Sequence, residues 1–220
     1  EGRVRDVYSV LPEELKGILV EDMGDRLIIP GLTDLHIHAP QYTFRSLGMD
    51  MELLEWLETN TFPEESKYKD AEYAQKAYGM FAEQLKKSAT VRACIFGTIH
   101  NEATLILMDL LEEAGLHTMV GKVNMDRNSP DYLCEPSAEA SAQATREWLK
   151  AVADRKYKHT RPILTPRFTP SCTDELMELL KEIQTETHLP MQSHLSENPG
   201  EIAWVKELCP WSEFYGDAYD

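Results

Sequence analysis

No stretch of the 220 residues approaches the roughly 18 consecutive apolar positions that a bilayer-spanning helix requires. The opening residues Glu1-Gly2-Arg3-Val4-Arg5-Asp6 lack the apolar segment of a secretory leader. Cysteine is scarce: Cys94, Cys134, Cys172 and Cys209 are scattered and form no Cys-x-x-Cys pair, so they read as reduced, mostly buried thiols. That spacing also excludes the deaminase class whose zinc is held by a His or Cys followed by Pro-Cys-x-x-Cys. Positive charge is in short supply as well. With 22 Lys and Arg against 38 Asp and Glu, the formal net charge is −16, which argues against nucleic-acid backbones and anionic membranes as partners. Low-complexity runs, internal repeats and Gly/Ser linkers are also missing. These absences lead us to expect a soluble, cytoplasmic protein, with small neutral ligands left open to it.

What is present begins with an apolar run, Leu27-Ile28-Ile29-Pro30-Gly31-Leu32-Thr33-Asp34-Leu35-His36-Ile37-His38. Side chains alternate across a β-strand, so His36 and His38 leave one face while Leu35 and Ile37 leave the other toward an apolar layer. Two imidazoles side by side on a rigid strand make half of a zinc site.

The rest of the chain alternates in period. Residues 51–60, 71–87, 102–114, 137–154 and 201–208 carry helical spacing, as does a helix from a Ser171 or Thr173 cap to Glu186. Strands are expected at 90–99, 118–125, 162–168 and 189–194. This is an α/β pattern with a parallel sheet, in about five strand–helix units after Pro30. Residues 1–29 read as the remnant of a small β-domain. A hairpin is expected there from Ile18-Leu19-Val20 through Asp22-Met23-Gly24-Asp25 to Leu27-Ile28-Ile29. Residues 30–220 form the strand–helix domain, and 126–136 is a long loop placed over the sheet's active end.

In parallel α/β folds, functional groups collect where strands end. His194, ending the 189–194 strand, is the best third ligand for His36 and His38. Zinc held by three histidines lowers the pKa of a bound water from about 16 toward 7. Glu197, three residues on, reads equally well as a proton shuttle or as a helix N-terminal carboxylate. Gln41 offers an amide to a planar base, or caps a turn. Arg167 offers a planar donor fork, or forms a surface ion pair; Phe168 offers a stacking face, or fills the core. His100 faces the pocket or caps the helix at Asn101. His117, His159 and His188 read as surface residues, most of the many acidic residues as solvated helix faces, and Tyr73, Tyr78 and Phe81 as core.

Taken together, these motifs resemble the guanine deaminases of the amidohydrolase superfamily, from about Asp22 onward. The carriers are Pro30 through Tyr42, Leu53-Leu54-Glu55-Trp56-Leu57, Thr61-Phe62-Pro63-Glu64, Thr98-Ile99-His100, Val120 through Asp126, Thr165-Pro166-Arg167-Phe168 and Gln192 through Asn198. The His pair is superfamily-wide; joined to Gln41, Arg167-Phe168 and the His194-to-Glu197 segment it points to guanine deaminases. The resemblance implies a (β/α)₈ barrel with a small β-domain and hydrolysis of guanine to xanthine and ammonia. It implies zinc, with iron as the alternative metal, on His36, His38 and His194. Gln41, Arg167 and Phe168 would hold the purine, Glu197 would bind it and relay protons, and the full-length protein would be a homodimer. The family pattern adds a later His and an Asp that have no counterpart here. The chain therefore reads as truncated at both ends, holding about five of eight barrel strands, and inactive by itself. Competing readings are a deaminase or chlorohydrolase acting on another ring, or a non-catalytic barrel fragment serving as an interaction module.

Overall fold

The computed structural model describes residues 3–219. The chain divides into two compact units after Pro30. In the first, a short 3₁₀ turn at Glu13–Leu15 is followed by a turn in which Arg26 N donates to the Met23 carbonyl. The expected turn therefore forms, but the hairpin does not: residues 18–20 and 27–29 carry no strand. Two strands without a third element over their apolar face are marginal in water. Here those side chains stay exposed, Leu19 almost entirely.

The second unit is built from β1 (Leu32–His38), α1 (Leu53–Trp56), α2 (Phe62–Ser66), α3 (Ala71–Lys86), β2 (Thr90–Phe96), α4 (Asn101–Ala114), β3 (His117–Gly121), β4 (Val123–Asn124), α5 (Ala138–Arg155), β5 (Thr160–Pro162), β6 (Thr165–Pro166), α6 (Asp174–Thr187) and α7 (Pro199–Leu208). All ladders are parallel: β1 pairs with β2, β2 with β3, β3 with β5, and β4 with β6. Neighbours in space follow chain order with helices between, so this is a partial (β/α)₈ barrel. The expected strand at 189–194 is reduced to one bridge, Leu164 to Met191. Its hydrogen bonds (Leu164 N to Pro190 O, Gln192 N to Leu164 O) follow a strand path, but it has no ladder.

Register explains how the sheet divides its two faces. Ile37, Ile95 and Val120 lie in one row, and all three pack with α3 and α4 residues in the main core. There Leu107, Met108 and Leu111 are fully buried, each side chain contributing about 1.5–3 kcal/mol of apolar burial. One residue further along each strand, His38, Phe96 and Gly121 form the opposite row. Gly121 is required there, because an added Cβ would sit 1.7 Å from Thr165 Oγ1. Leu35 departs from expectation: on the face opposite His36, it is 71% exposed and lies outside the core.

Helix ends follow local chemistry. Asp70, Ser137 and Thr173 cap α3, α5 and α6 with side-chain oxygens, Thr173 being chosen over Ser171. Gly115, with φ of 73°, closes α4. The helix expected at 51–60 instead passes through a π-turn at Leu57–Thr61 before α2. Pro63 accounts for this: it has no N–H for the Thr59 carbonyl, and its ring crowds that carbonyl. The widened turn buries Leu57, Thr61, Phe62 and Glu65. Among the described residues, no helix is long and apolar enough to cross a membrane.

Candidate metal centre and adjoining cavity

His36 and His38 stand at the end of β1, and His194 ends the bridged segment that follows α6. The three side chains each present a ring nitrogen, and these atoms lie within 4.8 Å of one another. Phe96 underlies all three imidazoles, stacked on His38 at 4.5 Å between centroids and tilted against His194 at 4.5 Å and His36 at 5.1 Å. The β1–β2 register, which pairs His38 with Phe96, puts it there.

Hydrogen bonding fixes the imidazoles. Nδ1 of His194 donates to the Arg167 carbonyl at 2.6 Å, which leaves Nε2 as a lone pair. That nitrogen lies 2.8 Å from Nε2 of His38, whose Nδ1 is buried without a partner. Either neutral tautomer of His38 therefore leaves a ring nitrogen unsatisfied. Protonation offers no relief. Burial pushes His38 well below the ordinary imidazole range, with the charges of His194, Arg167 and His36 adding to it. Burial likewise pushes His194 down to about 3, against the opposing effect of its bond to Arg167. His36 is lowered by burial and partly restored by Asp34. Three neutral imidazoles with unsatisfied lone pairs fit a borderline-soft divalent cation such as zinc.

A cavity of about 580 Å³ opens beside the histidines. Gln41, Arg167, Phe168 and Glu197 line it, and Leu53, Trp56, Leu57 and Phe81 supply apolar wall. The structure thus brings Gln41, Arg167, Phe168 and Glu197 around the same cavity as the three histidines. Two are held differently than their simplest readings suggested. Arg167 forms a buried rather than a surface ion pair, with Glu65. Phe168 is both core and wall, packed with Phe62, Phe96, Val123 and Met125. Glu197 sits at the exposed rim, where partial desolvation and the neighbouring Glu201 raise its pKa while Arg167 opposes them. Glu201 itself is buried and accepts the backbone N–H groups of Glu197 and Asn198 and the Tyr215 hydroxyl. This clamp holds a turn in which Ser196 takes a left-handed φ of 56°.

Several expectations are corrected. His100 neither lines the cavity nor caps α4 with its side chain; its Nε2 is buried without a partner. His159 is half-buried, edge-on to His117, and its Nδ1 too lacks a partner. None of residues 126–136 lines the cavity; Leu133 packs into the core beside Phe168 instead. Glu65, Glu135 and Glu201 are buried, paired exceptions within a mostly solvated set of acidic residues. Reading from sequence missed Phe96, Glu65 and Glu201. Only Phe96 left a usable signal, as an aromatic at the end of the strand beside the His pair.

A model of the Amidohydrolase family matches residues 27–214. The chain belongs to the amidohydrolase family. Guanine deaminase of Dictyostelium discoideum is 44% identical over 200 residues, spanning 91% of this chain and 44% of that protein. The Escherichia coli K12 guanine deaminase is 38% identical over 205 residues, spanning 92% of this chain and 45% of that one. The crystal structure of guanine deaminase from C. acetobutylicum, with guanine bound in its active site, superposes with a TM-score of 0.94 at 46% identity. It covers 100% of this chain and 52% of that one. This amidohydrolase chain therefore spans about half the length of the relatives it matches.

Proposed function

We propose that this chain carries the metal-binding and purine-facing part of a zinc-dependent guanine deaminase, which hydrolyses guanine to xanthine and ammonia. The observation that carries the reading is the set of three neutral imidazoles meeting beside a cavity lined by Gln41, Arg167, Phe168 and Glu197. His36, His38 and His194 would hold the metal, which when bound would supply Lewis-acid activation of water for the hydrolysis. The Arg167 carbonyl keeps His194 in the tautomer that leaves Nε2 free. Gln41 pairs donor and acceptor with the ring edge, Arg167 donates in the ring plane, and Phe168 presents an aromatic surface to it. Glu197, at the cavity rim, would relay the proton given up by the attacking water to a ring nitrogen. Residues 1–29 belong to a small second domain, and 30–220 to the barrel. The protein works in the cytoplasm as a homodimer; four free thiols accord with a reducing compartment.

The test is ammonia release by the natural gene product that contains these residues, offered guanine, adenine, cytosine and a triazine. Guanine is expected to be the preferred substrate, with activity lost to a chelator and restored by zinc. Preference for another ring overturns the substrate assignment. Release that a chelator does not affect, or no release at all, overturns the metal mechanism.

A further inference from the structure

The guanidinium of Arg167 does not meet the cavity as a free cation. Nη1 donates to Oε2 of Glu65 at 2.7 Å and Nη2 to Oε1 at 3.2 Å, a fork-to-fork pair. Both side chains are sealed, at 3% and 1% exposure. The Phe62 ring lies 5.3 Å from the guanidinium carbon and closes that side. Two of the five N–H donors an arginine carries are thereby committed, and the others remain for whatever fills the cavity that Arg167 lines. The π-turn before α2 makes the pairing possible by turning Phe62 and Glu65 inward. Glu64 cannot take over, because it is engaged by Thr43, Tyr73 and Lys67.

We propose that Glu65 is a positioning and specificity-determining residue: by clamping and neutralising Arg167, it fits the cavity to neutral lactam purines and against purine anions. This deepens the guanine deaminase reading and rests on it. A buried arginine without a counter-charge attracts any anion of suitable shape. With Glu65 in place, Arg167 keeps the direction of its hydrogen bonds but loses its net attraction for negative charge. Hydrolysis replaces an amino group by an oxo group, and dioxopurines lose a ring proton more readily than guanine does. Discrimination against anions therefore favours substrate over product.

The experiment compares the metal-loaded, full-length protein with Glu65→Gln and Glu65→Asp. It measures KM and kcat for guanine, inhibition by xanthine and by urate (a full anion at neutral pH), and direct binding of all three by equilibrium dialysis. In Glu65→Gln, urate is expected to tighten relative to guanine by about tenfold or more, from the unmasked charge. KM for guanine should move more than kcat. Glu65→Asp keeps the charge on a shorter arm, so it should weaken both ligands while preserving their ratio. An unchanged urate-to-guanine ratio in a folded Glu65→Gln overturns the inference and leaves the deaminase reading intact. Should Glu65→Gln fail to fold, tightening of urate relative to guanine in Glu65→Asp overturns it equally, and a preserved ratio supports it. If the unmutated protein binds none of the purines, the deaminase reading fails and this inference with it.

Discussion

Arg167–Glu65 and Lys122–Glu135 are both ion pairs withdrawn from water, yet their surroundings differ in one decisive respect. Lys122 and Glu135 belong to a buried side-chain network. Glu135 also accepts the Met125 backbone N–H and the Ser141 hydroxyl, and Ser141 meets the amide of Asn124, which reaches Thr145. Neither member of that pair lines the cavity beside the histidines, whereas Arg167 does. The first pair faces a vacancy and keeps donors in reserve; the second ties the residues after β3 to α5. Burial of a charged pair is thus no guide to function by itself. An unused donor facing a cavity is the distinguishing mark.

Single truncations should give the largest effects. Glu135→Ala strands an ammonium in the interior and should cost about 3–5 kcal/mol, read as a shift in urea midpoint. A loss under about 1 kcal/mol would mean that water reaches Lys122. Paired apolar replacement then separates the roles. Lys122→Met with Glu135→Leu should fold with a loss of about 1–3 kcal/mol, because the Met125 N–H and the Ser141 hydroxyl lose their acceptor, and on the proposed function should bind guanine nearly as the parent does. Arg167→Met with Glu65→Leu should also fold, but lose about a hundredfold in guanine affinity, since in-plane donors vanish. Equal binding by the two double variants would erase the contrast.

A smaller effect concerns pH. Lys122 and Lys69 add to the desolvation that lowers the pKa of His100 to about 4. An unfolded imidazole titrates near 6.5, so between those values only the unfolded chain carries the proton. Stability should therefore fall as pH drops from about 6.5 toward 4, by up to about 1.4 kcal/mol per pH unit from this group. His100→Gln should flatten that slope in denaturation series at successive pH values; an unchanged slope would show that His100 is already charged in the fold. The smallest effect is expected at the surface. Arg155→Ala breaks a half-exposed pair with Asp109 and should cost less than about 1 kcal/mol.

Much of this was legible in the chain. Alternation along residues 34–38 places Asp34, His36 and His38 on one face, and all three line the cavity. Capping residues and apolar spacing place α3 through α6 to within a few residues. What escaped depended on partners far away in sequence. Glu65 sits in the acidic run Glu64-Glu65, which looks solvated until its partner, 102 positions on, is brought against it. The missing hairpin has another cause: strand propensity without a further element over the apolar face does not sustain a two-stranded ladder.

The peptide at Arg167 serves two masters. Its carbonyl collects the His194 ring, the His194 N–H and the Ser193 hydroxyl, while its side chain lines the cavity. On the function proposed above, a substitution at 167 that shifts this peptide would alter ring recognition and loosen the orientation of His194 at the same stroke. Gln41, on a separate short turn after the first strand, is the safer place for laboratory evolution to begin.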